Sequence, residues 1–136
     1  MKGVLKTVDD RIYLAKTEDG RVTYIDVRDI DVKSGLSPME LLLFSAAACS
    51  AIDVQVILEK KRYRIDELVI EVEGKRRDDY PKIWEKIRYK YIVRGEGIKA
   101  EDVEKAISLS LNKYCSATIT LVRAGAELDW SYEVVG

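Results

Sequence analysis

The residues of this 136-residue chain with the clearest chemical potential are its two cysteines, Cys49 and Cys115. The chain has no histidine, which excludes a Ser-His-Asp or Cys-His triad and a histidine-bound zinc ion. Two thiols alone cannot supply the four ligands of a structural zinc site. The two thiols could take part in redox or nucleophilic chemistry. The alternative at each position is an unreactive cysteine packed in the core.

The surroundings of Cys49 favour a packed core cysteine when the residues are considered alone. Cys49 lies in the middle of an apolar segment, where burial disfavours the thiolate that acts as the nucleophile. Asp53 follows one helical turn later on the same face, and a charge there would disfavour a thiolate further. Reactivity at Cys49 therefore requires a cation from another element. We expect Asp53 itself to be a hydrogen-bonded structural carboxylate.

The segment that carries Cys49 is predicted to be one long central helix over residues 37–61. Ser37 and Glu40 have the spacing of a capping box, in which each side chain satisfies a backbone amide near the helix start. Pro38 fits the first helical position. The sequence therefore specifies where this helix begins.

The body of the central helix is almost entirely apolar. Such a helix is buried on most of its surface, and small residues in its middle would allow a second helix to approach closely. A membrane span is the alternative, because the apolar run has about the required length. Asp53 and Gln55 interrupt that run, and charged, strand-like segments flank it, so we favour a helix in a soluble core and expect no membrane association.

The rest of the chain predicts one α+β domain over residues 1–136, with the order β-β-β-α-β-β-α-β and the long helix packed on an antiparallel sheet. Residues 29–35 are predicted to be a polar loop, and residues 116–122 fit a helix or a strand equally well. The predicted strands are 2–8, 11–16, 21–27, 67–73, 83–93 and 126–135, and the predicted second helix is 99–113.

The long strand over residues 83–93 carries two tyrosines on one face. Tyr89 and Tyr91 alternate with charged residues and share their face with Ile87 and Val93. We expect both rings to pack under a helix, and a substrate slot between two subunits is the alternative.

The composition limits the function and the location of the protein. Lys and Arg number 23 against 24 Asp and Glu, so no basic field attracts nucleic acid or anionic membranes. Charged residues make up 35% of the chain, and Asn and Gln occur once each, which is typical of a hyperthermophile's protein. Met1 leads directly into a polar strand rather than a signal peptide, so we expect a cytoplasmic protein.

Three motifs, together with the order of the elements, resemble the family of osmotically inducible protein C (OsmC) and organic hydroperoxide resistance (Ohr) proteins. The resemblance covers nearly the whole chain. The motifs are SPMELLL at residues 37–43 leading to ACSAID at 48–53, DYP at 79–81 before a long strand, and SLS at 108–110 running into KYCS at 113–116.

This resemblance implies a fold, a reaction and partners. The fold is an intertwined α+β homodimer with the long helices packed centrally. By matching residues, Cys49 corresponds to the peroxidatic cysteine and Cys115 to the resolving cysteine, which together reduce an organic hydroperoxide and form a disulfide. An external dithiol, in some members a lipoylated protein, then reduces the disulfide. The resemblance implies no bound cofactor and no metal.

The sequence departs from the family's pattern at Met39. Peroxidase members carry a glutamate at that position, and this glutamate holds an arginine against the reactive thiolate. Glu40 follows one position later, about 100° around the helix, so capping is its favoured role and catalysis its second. Arg11 is the nearest match by position to the family's arginine, and Arg21 and Arg28 remain open as alternatives.

The sequence and the resemblance predict two alternative functions. The first is a thiol peroxidase that reduces organic hydroperoxides through Cys49 and Cys115. The second is a non-catalytic relative that binds a small apolar ligand or a partner at the dimer interface, which the change at Met39 favours. Nucleic-acid binding is disfavoured by the charge balance and by the lack of a glycine-rich phosphate loop.

Overall fold

The computed structural model describes residues 1–28 and 35–136. The α+β class and the predicted order of elements are confirmed, with one short additional helix before the last strand. Apart from Gly35, the loop predicted over residues 29–35 lies outside the described residues. The elements are β1 (Gly3–Asp9), β2 (Ile12–Thr17), β3 (Val22–Asp26), α1 (Pro38–Lys60), β4 (Glu67–Arg76), β5 (Trp84–Arg94), α2 (Ala100–Leu109), α3 (Ser116–Arg123) and β6 (Glu127–Val135).

The chain forms two compact units, Met1–Leu43 and Phe44–Gly136. The first unit contains an antiparallel sheet in the order β1-β2-β3. The second unit contains a separate three-stranded sheet in the order β4-β5-β6. Helix α1 begins in the first unit and continues through the second. The prediction of a single domain over residues 1–136 stays a prediction.

Helix α1 begins where its capping residues predict. The backbone N–H of Ser37 donates to the Glu40 carboxylate at 3.1 Å, and the Ser37 hydroxyl donates to the same carboxylate. The backbone N–H of Leu41 donates to the Ser37 carbonyl at 2.8 Å. These bonds confirm Glu40 as a helix-capping residue and fix the helix start within one residue of the prediction.

By length and composition, α1 is the one helix among the described residues that could cross a membrane. The core helix of a soluble protein meets the same criterion, so this observation is weak evidence for a span. One face of α1 is buried within the chain, with Leu43, Val54 and Leu58 at 5% exposure or less. That one-sided burial matches a helix of a globular core.

The second sheet is mixed, whereas the sequence predicted an antiparallel sheet. Strand β4 pairs with β5 in antiparallel register, but β6 pairs with β5 in parallel. The parallel arrangement is possible because α2 and α3 form the long crossover that two parallel neighbouring strands require. Strand β5 is therefore the centre of the sheet, and its Tyr89 and Tyr91 are fully buried, as predicted.

The segment between α2 and β6 determines where Cys115 lies. The predicted second helix ends earlier than expected as an α-helix, at Leu109, and residues Ser110–Tyr114 form a turn of π-helix. The backbone N–H of Cys115 donates to the Ser110 carbonyl at 2.7 Å, which closes this wider turn. Residues 116–122, which the sequence left undecided, belong to α3. Cys115 is consequently the residue that joins the π-turn to α3.

Candidate functional site

The two cysteines meet inside the second unit. Cys49 lies in the middle of α1 and is partly exposed, whereas Cys115 lies between the π-turn and α3 and is buried. Both are free thiols, and the Cys49 side chain interacts directly with that of Cys115. Two cysteines that are 66 positions apart in the sequence are thus neighbours in the fold.

Cys115 is held against the helix turn that precedes Cys49. The Cys115 thiol donates to Thr118 Oγ1 at 3.0 Å, and its Sγ lies 3.5 Å from the carbonyl oxygen of Ala46. The Thr118 hydroxyl also donates to the Ala46 carbonyl, at 3.2 Å. Because Ala46 is three residues before Cys49 on α1, these contacts place the Cys115 sulfur beside Cys49.

Burial controls the acidity of Cys115. Removal from water raises the pKa of the Cys115 thiol, because the low-dielectric interior disfavours the thiolate. The hydroxyl and the backbone N–H of Thr118 act in the opposite direction, and the neighbouring Cys49 raises the pKa further. Cys115 therefore remains a protonated thiol at neutral pH.

Tyr89 of β5 completes the polar surroundings of Cys115. Its hydroxyl lies 3.0 Å from Thr118 Oγ1, and burial raises the pKa of Tyr89 to about 12. The Tyr89 hydroxyl is therefore a neutral hydrogen-bond donor throughout the physiological pH range. Tyr89 and Tyr91 pack edge to face, with ring centroids 6.1 Å apart.

A second buried chain of hydroxyl groups connects Tyr91 to Asp53. The Tyr91 hydroxyl lies 2.6 Å from Ser50 Oγ, which lies 2.9 Å from Ser110 Oγ, and Ser110 donates to Asp53 Oδ2 at 2.9 Å. A hydroxyl carries one hydrogen, so Ser50 must donate to Ser110 and Tyr91 must donate to Ser50. The predicted role of Asp53 as a hydrogen-bonded structural carboxylate is confirmed.

The candidate arginines all belong to the first unit. Arg11 has an exposed side chain and lies in the tight turn between β1 and β2, with a φ of 53°. Arg21 binds Asp19 at the surface, and the Arg28 guanidinium binds the buried Asp26 carboxylate at 2.6 Å. The activation of Cys49 by Arg11 or by another arginine stays a prediction.

Sequence reasoning did not identify Thr118 or Ser110 as members of this site. A helical assignment of residues 116–122 would have placed Thr118 one turn after Cys115, but the β-branched composition of the segment left its conformation open. Ser110 falls within the second helix predicted over residues 99–113, and its side chain is buried. Only the positions of α1 and β5 show that both hydroxyls point into a polar network.

The comparison that decides the family is a match to a family model. The model described as OsmC-like protein matches residues 31–131 of the chain. The chain belongs to the OsmC family. Protein YhfA of Escherichia coli K12 is 34% identical to it over 135 residues, which cover 99% of this chain and 98% of YhfA.

Solved structures agree with this assignment to the OsmC family. A hypothetical protein from Aquifex aeolicus VF5 superposes on this OsmC-like chain with a TM-score of 0.82 at 33% identity, covering 99% of this chain and 97% of that one. The organic hydroperoxide resistance protein OhrB of Bacillus subtilis superposes with a TM-score of 0.62 at 14% identity, covering 98% of each chain, which shows the shared fold alone.

Proteins described as organic hydroperoxide resistance proteins are among the solved structures that share this fold. Within the part of the chain that the structure describes, no group of three or more Cys, Asp or Glu side chains could hold a metal ion. The two thiols are the groups of this OsmC-like protein that are suited to redox chemistry.

Proposed function

We propose that this OsmC-like protein is a thiol peroxidase that reduces organic hydroperoxides through Cys49 and Cys115. The observation that carries the proposal is the direct interaction of a partly exposed thiol with a buried one. Because Cys49 is partly exposed, a hydroperoxide can reach it, and the buried Cys115 lies beside it as a protonated thiol. This division of roles supports the assignment of Cys49 as the peroxidatic residue and Cys115 as the resolving residue.

The reaction proceeds in three balanced steps. The Cys49 thiolate attacks the hydroperoxide, an S–O bond forms, the O–O bond breaks, and the alkoxide leaves as an alcohol after it takes up a proton. Cys115 then attacks the sulfur of the Cys49 sulfenic acid, so that an S–S bond forms while the hydroxyl leaves with the Cys115 proton as water. An external dithiol, for which a lipoyl-type group is suitable, exchanges with this disulfide and restores both thiols.

We also propose that the active protein is a cytoplasmic homodimer. Helix α1 is apolar on the face that the chain leaves exposed, where Phe44, Ile52 and Val56 are 46%, 63% and 42% exposed. Ala48 lies between these residues and is also exposed, so a second helix can approach closely. A reducing cytoplasm keeps both cysteines in the free thiol form that the first step needs.

Met39 favours a second candidate function, in which the OsmC fold is retained without peroxidase chemistry. Met39 stands where peroxidase members carry the glutamate that orients the activating arginine. In that case the protein binds a small apolar ligand or a partner at the dimer interface. A groove of about 470 Å³ on the first sheet, with Val4, Leu5 and Val22 in its lining, offers an apolar surface of suitable size.

The experiment that separates the two functions counts thiols before and after the addition of a few equivalents of cumene hydroperoxide. The peroxidase loses both thiols rapidly and forms an internal Cys49–Cys115 link, which mass analysis under non-reducing conditions detects. The C115S variant should stop at a Cys49 sulfenic acid that dimedone traps, whereas C49S should keep its remaining thiol. Two intact thiols in the unsubstituted protein would refute the peroxidase proposal and leave the binding function.

A further inference from the structure

Thr118 has three hydrogen-bond partners within the cysteine site. Its Oγ1 lies within 3.2 Å of three polar groups, namely the Cys115 thiol, the Tyr89 hydroxyl and the Ala46 carbonyl. These groups come from the residue that precedes α3, from β5 and from α1, so the Thr118 hydroxyl joins the three parts of the chain that surround the cysteines. The buried Thr118 side chain has no exposed surface through which it could use water instead.

The hydrogens at Thr118 can be assigned by counting. A hydroxyl donates one hydrogen and accepts two. A carbonyl oxygen can only accept, so Thr118 donates to Ala46 and accepts from the Cys115 thiol and from the Tyr89 hydroxyl. All three bonds are then satisfied in the reduced protein, and the thiol hydrogen of Cys115 points to Thr118 Oγ1.

Loss of the thiol hydrogen changes this arrangement in one specific way. A Cys115 thiolate can no longer donate to Thr118, and a buried thiolate needs a donor of its own. The Thr118 hydroxyl can supply it by rotating its single hydrogen from the Ala46 carbonyl to the sulfur. The Ala46 carbonyl is not left unpaired, because it remains an acceptor within the hydrogen bonds of α1.

We propose that Thr118 is a positioning residue for Cys115, which holds the thiol beside Cys49 in the reduced protein and turns its hydroxyl to the sulfur as the thiol loses its proton. If the proposed function holds, Thr118 acts in its second step, the attack of Cys115 on the Cys49 sulfenic acid. The effect of Thr118 on the Cys115 thiol does not depend on that reaction. In that step the Cys115 proton leaves with the hydroxyl group of the Cys49 sulfenic acid, and Thr118 moves a hydrogen bond without transferring a proton.

The electrostatic surroundings of Cys115 determine how much a thiolate there depends on the Thr118 hydroxyl. Among the described residues, the titratable groups that act on the site are Cys49 from α1 and Tyr89 and Tyr91 from β5, with Asp53 acting on Tyr91. All four are acids, so none of them supplies positive charge to a Cys115 thiolate. The hydroxyl and the backbone N–H of Thr118 are the groups that lower the pKa of Cys115 against the effect of burial.

The test uses the C49S background, in which Cys115 is the only cysteine and no turnover can occur. With cysteine labelled with carbon-13 at Cβ, NMR follows the ionisation of the buried thiol directly and needs no reagent to reach it. T118V keeps the shape of the side chain without the hydroxyl, and we expect the titration midpoint of Cys115 to move upward by about one pH unit. T118S keeps the hydroxyl and should retain the parental midpoint.

The outcomes distinguish this inference from the proposed function. An unchanged midpoint in folded T118V would overturn the role of Thr118, even if the unsubstituted protein proves to be a peroxidase. A raised midpoint in T118V with rescue in T118S supports the role, even if no peroxide is consumed. Y89F keeps the Thr118 hydroxyl but removes the Tyr89 hydroxyl that donates to it. A shift of the Cys115 midpoint in Y89F as large as that in T118V would therefore also contradict the specific role of Thr118.

Discussion

At the scale of single residues, the site separates two thiols by their environments. Cys49 is partly exposed in the middle of a helix, whereas Cys115 is buried and hydrogen bonded to Thr118. Burial favours the protonated form of Cys115, and it does the same for the two tyrosines behind it. Cys115 and the two tyrosines are therefore hydrogen bonded and uncharged at neutral pH.

The neutral state of Tyr89 gives a prediction about stability at high pH. Burial raises the pKa of Tyr89 in the folded chain to about 12, while the unfolded chain titrates near the ordinary value of 10.0. The folded state then holds its proton longer, so this contribution to stability is present below pH 10 and is lost between pH 10 and about 12. At about 1.4 kcal/mol per pH unit of difference, it amounts to roughly 2–3 kcal/mol.

Urea unfolding at pH 8, 10 and 11 measures this contribution. Y89F should lose less stability than the unsubstituted protein over this range, because phenylalanine does not ionise. Part of the alkaline loss should remain in Y89F, since burial also raises the pKa of Tyr91. The exposed Tyr80 provides the control, and Y80F should follow the unsubstituted protein. Parallel curves for Y89F and the unsubstituted protein would contradict the assignment.

At the scale of elements, hydroxyl groups bind α1 to β5 and to the π-turn. The Ser50 hydroxyl of α1 bonds both Tyr91 of β5 and Ser110 of the π-turn. Ser110 in turn donates to Asp53 on α1. Each hydroxyl in this chain has a partner, and no buried side-chain N or O atom among the described residues lacks one. Such a network fixes the rotation of α1 about its axis, and with it the direction in which Cys49 points.

The S50A variant measures how much this network contributes to the free energy of unfolding. Removing the Ser50 hydroxyl leaves the hydroxyls of Tyr91 and Ser110 without their shared partner, so we expect a loss of about 1–3 kcal/mol in the free energy of unfolding. The double variant S50A/Y91F should be less destabilised than the sum of its single variants, because the two residues are coupled. S131A, at an exposed position on β6, should change stability by less than about 0.5 kcal/mol. An S50A variant as stable as S131A would show that the chain of hydroxyls contributes nothing.

At the scale of the whole molecule, the exposed apolar face of α1 predicts a second subunit. A monomer would leave Phe44, Ile52 and Val56 in contact with water along one side of its longest helix. Burial of that face against a second copy explains why the helix is apolar on nearly all sides, although the chain itself buries only one of them. The proposed homodimer accounts for this excess of apolar surface.

The I52D variant tests the dimer directly. A carboxylate at the centre of the apolar face would be buried without a partner in a dimer, so the variant should dissociate to monomers. Sedimentation velocity at several protein concentrations should give twice the monomer mass of 15.5 kDa for the unsubstituted protein and the monomer mass for I52D. S131D introduces the same charge at an exposed position outside α1 and should remain dimeric. A monomeric unsubstituted protein would overturn this proposal.

The sequence by itself determined the parts of this protein that local rules specify. Periodicity and the capping residues located α1, the first three strands and β5, because each depends on neighbours within a few positions. Sequence motifs identified the family, and the family model and the overall fold confirm it. The residues also excluded chemistry based on histidine.

Only the tertiary structure decided how distant residues combine. The parallel pairing of β6, the π-turn before Cys115 and the helix over residues 116–122 depend on long-range packing, which the β-branched composition of that segment does not encode locally. The same packing brings the Tyr89 hydroxyl to Thr118, and the Ala46 carbonyl to Cys115 and Thr118. The two cysteines were visible in the sequence, but the role of the Thr118 hydroxyl beside Cys115 was not. Residues 116–122 fit a helix or a strand equally well, and the bonds from Thr118 to Tyr89 and Ala46 join remote elements, which leave no periodic pattern.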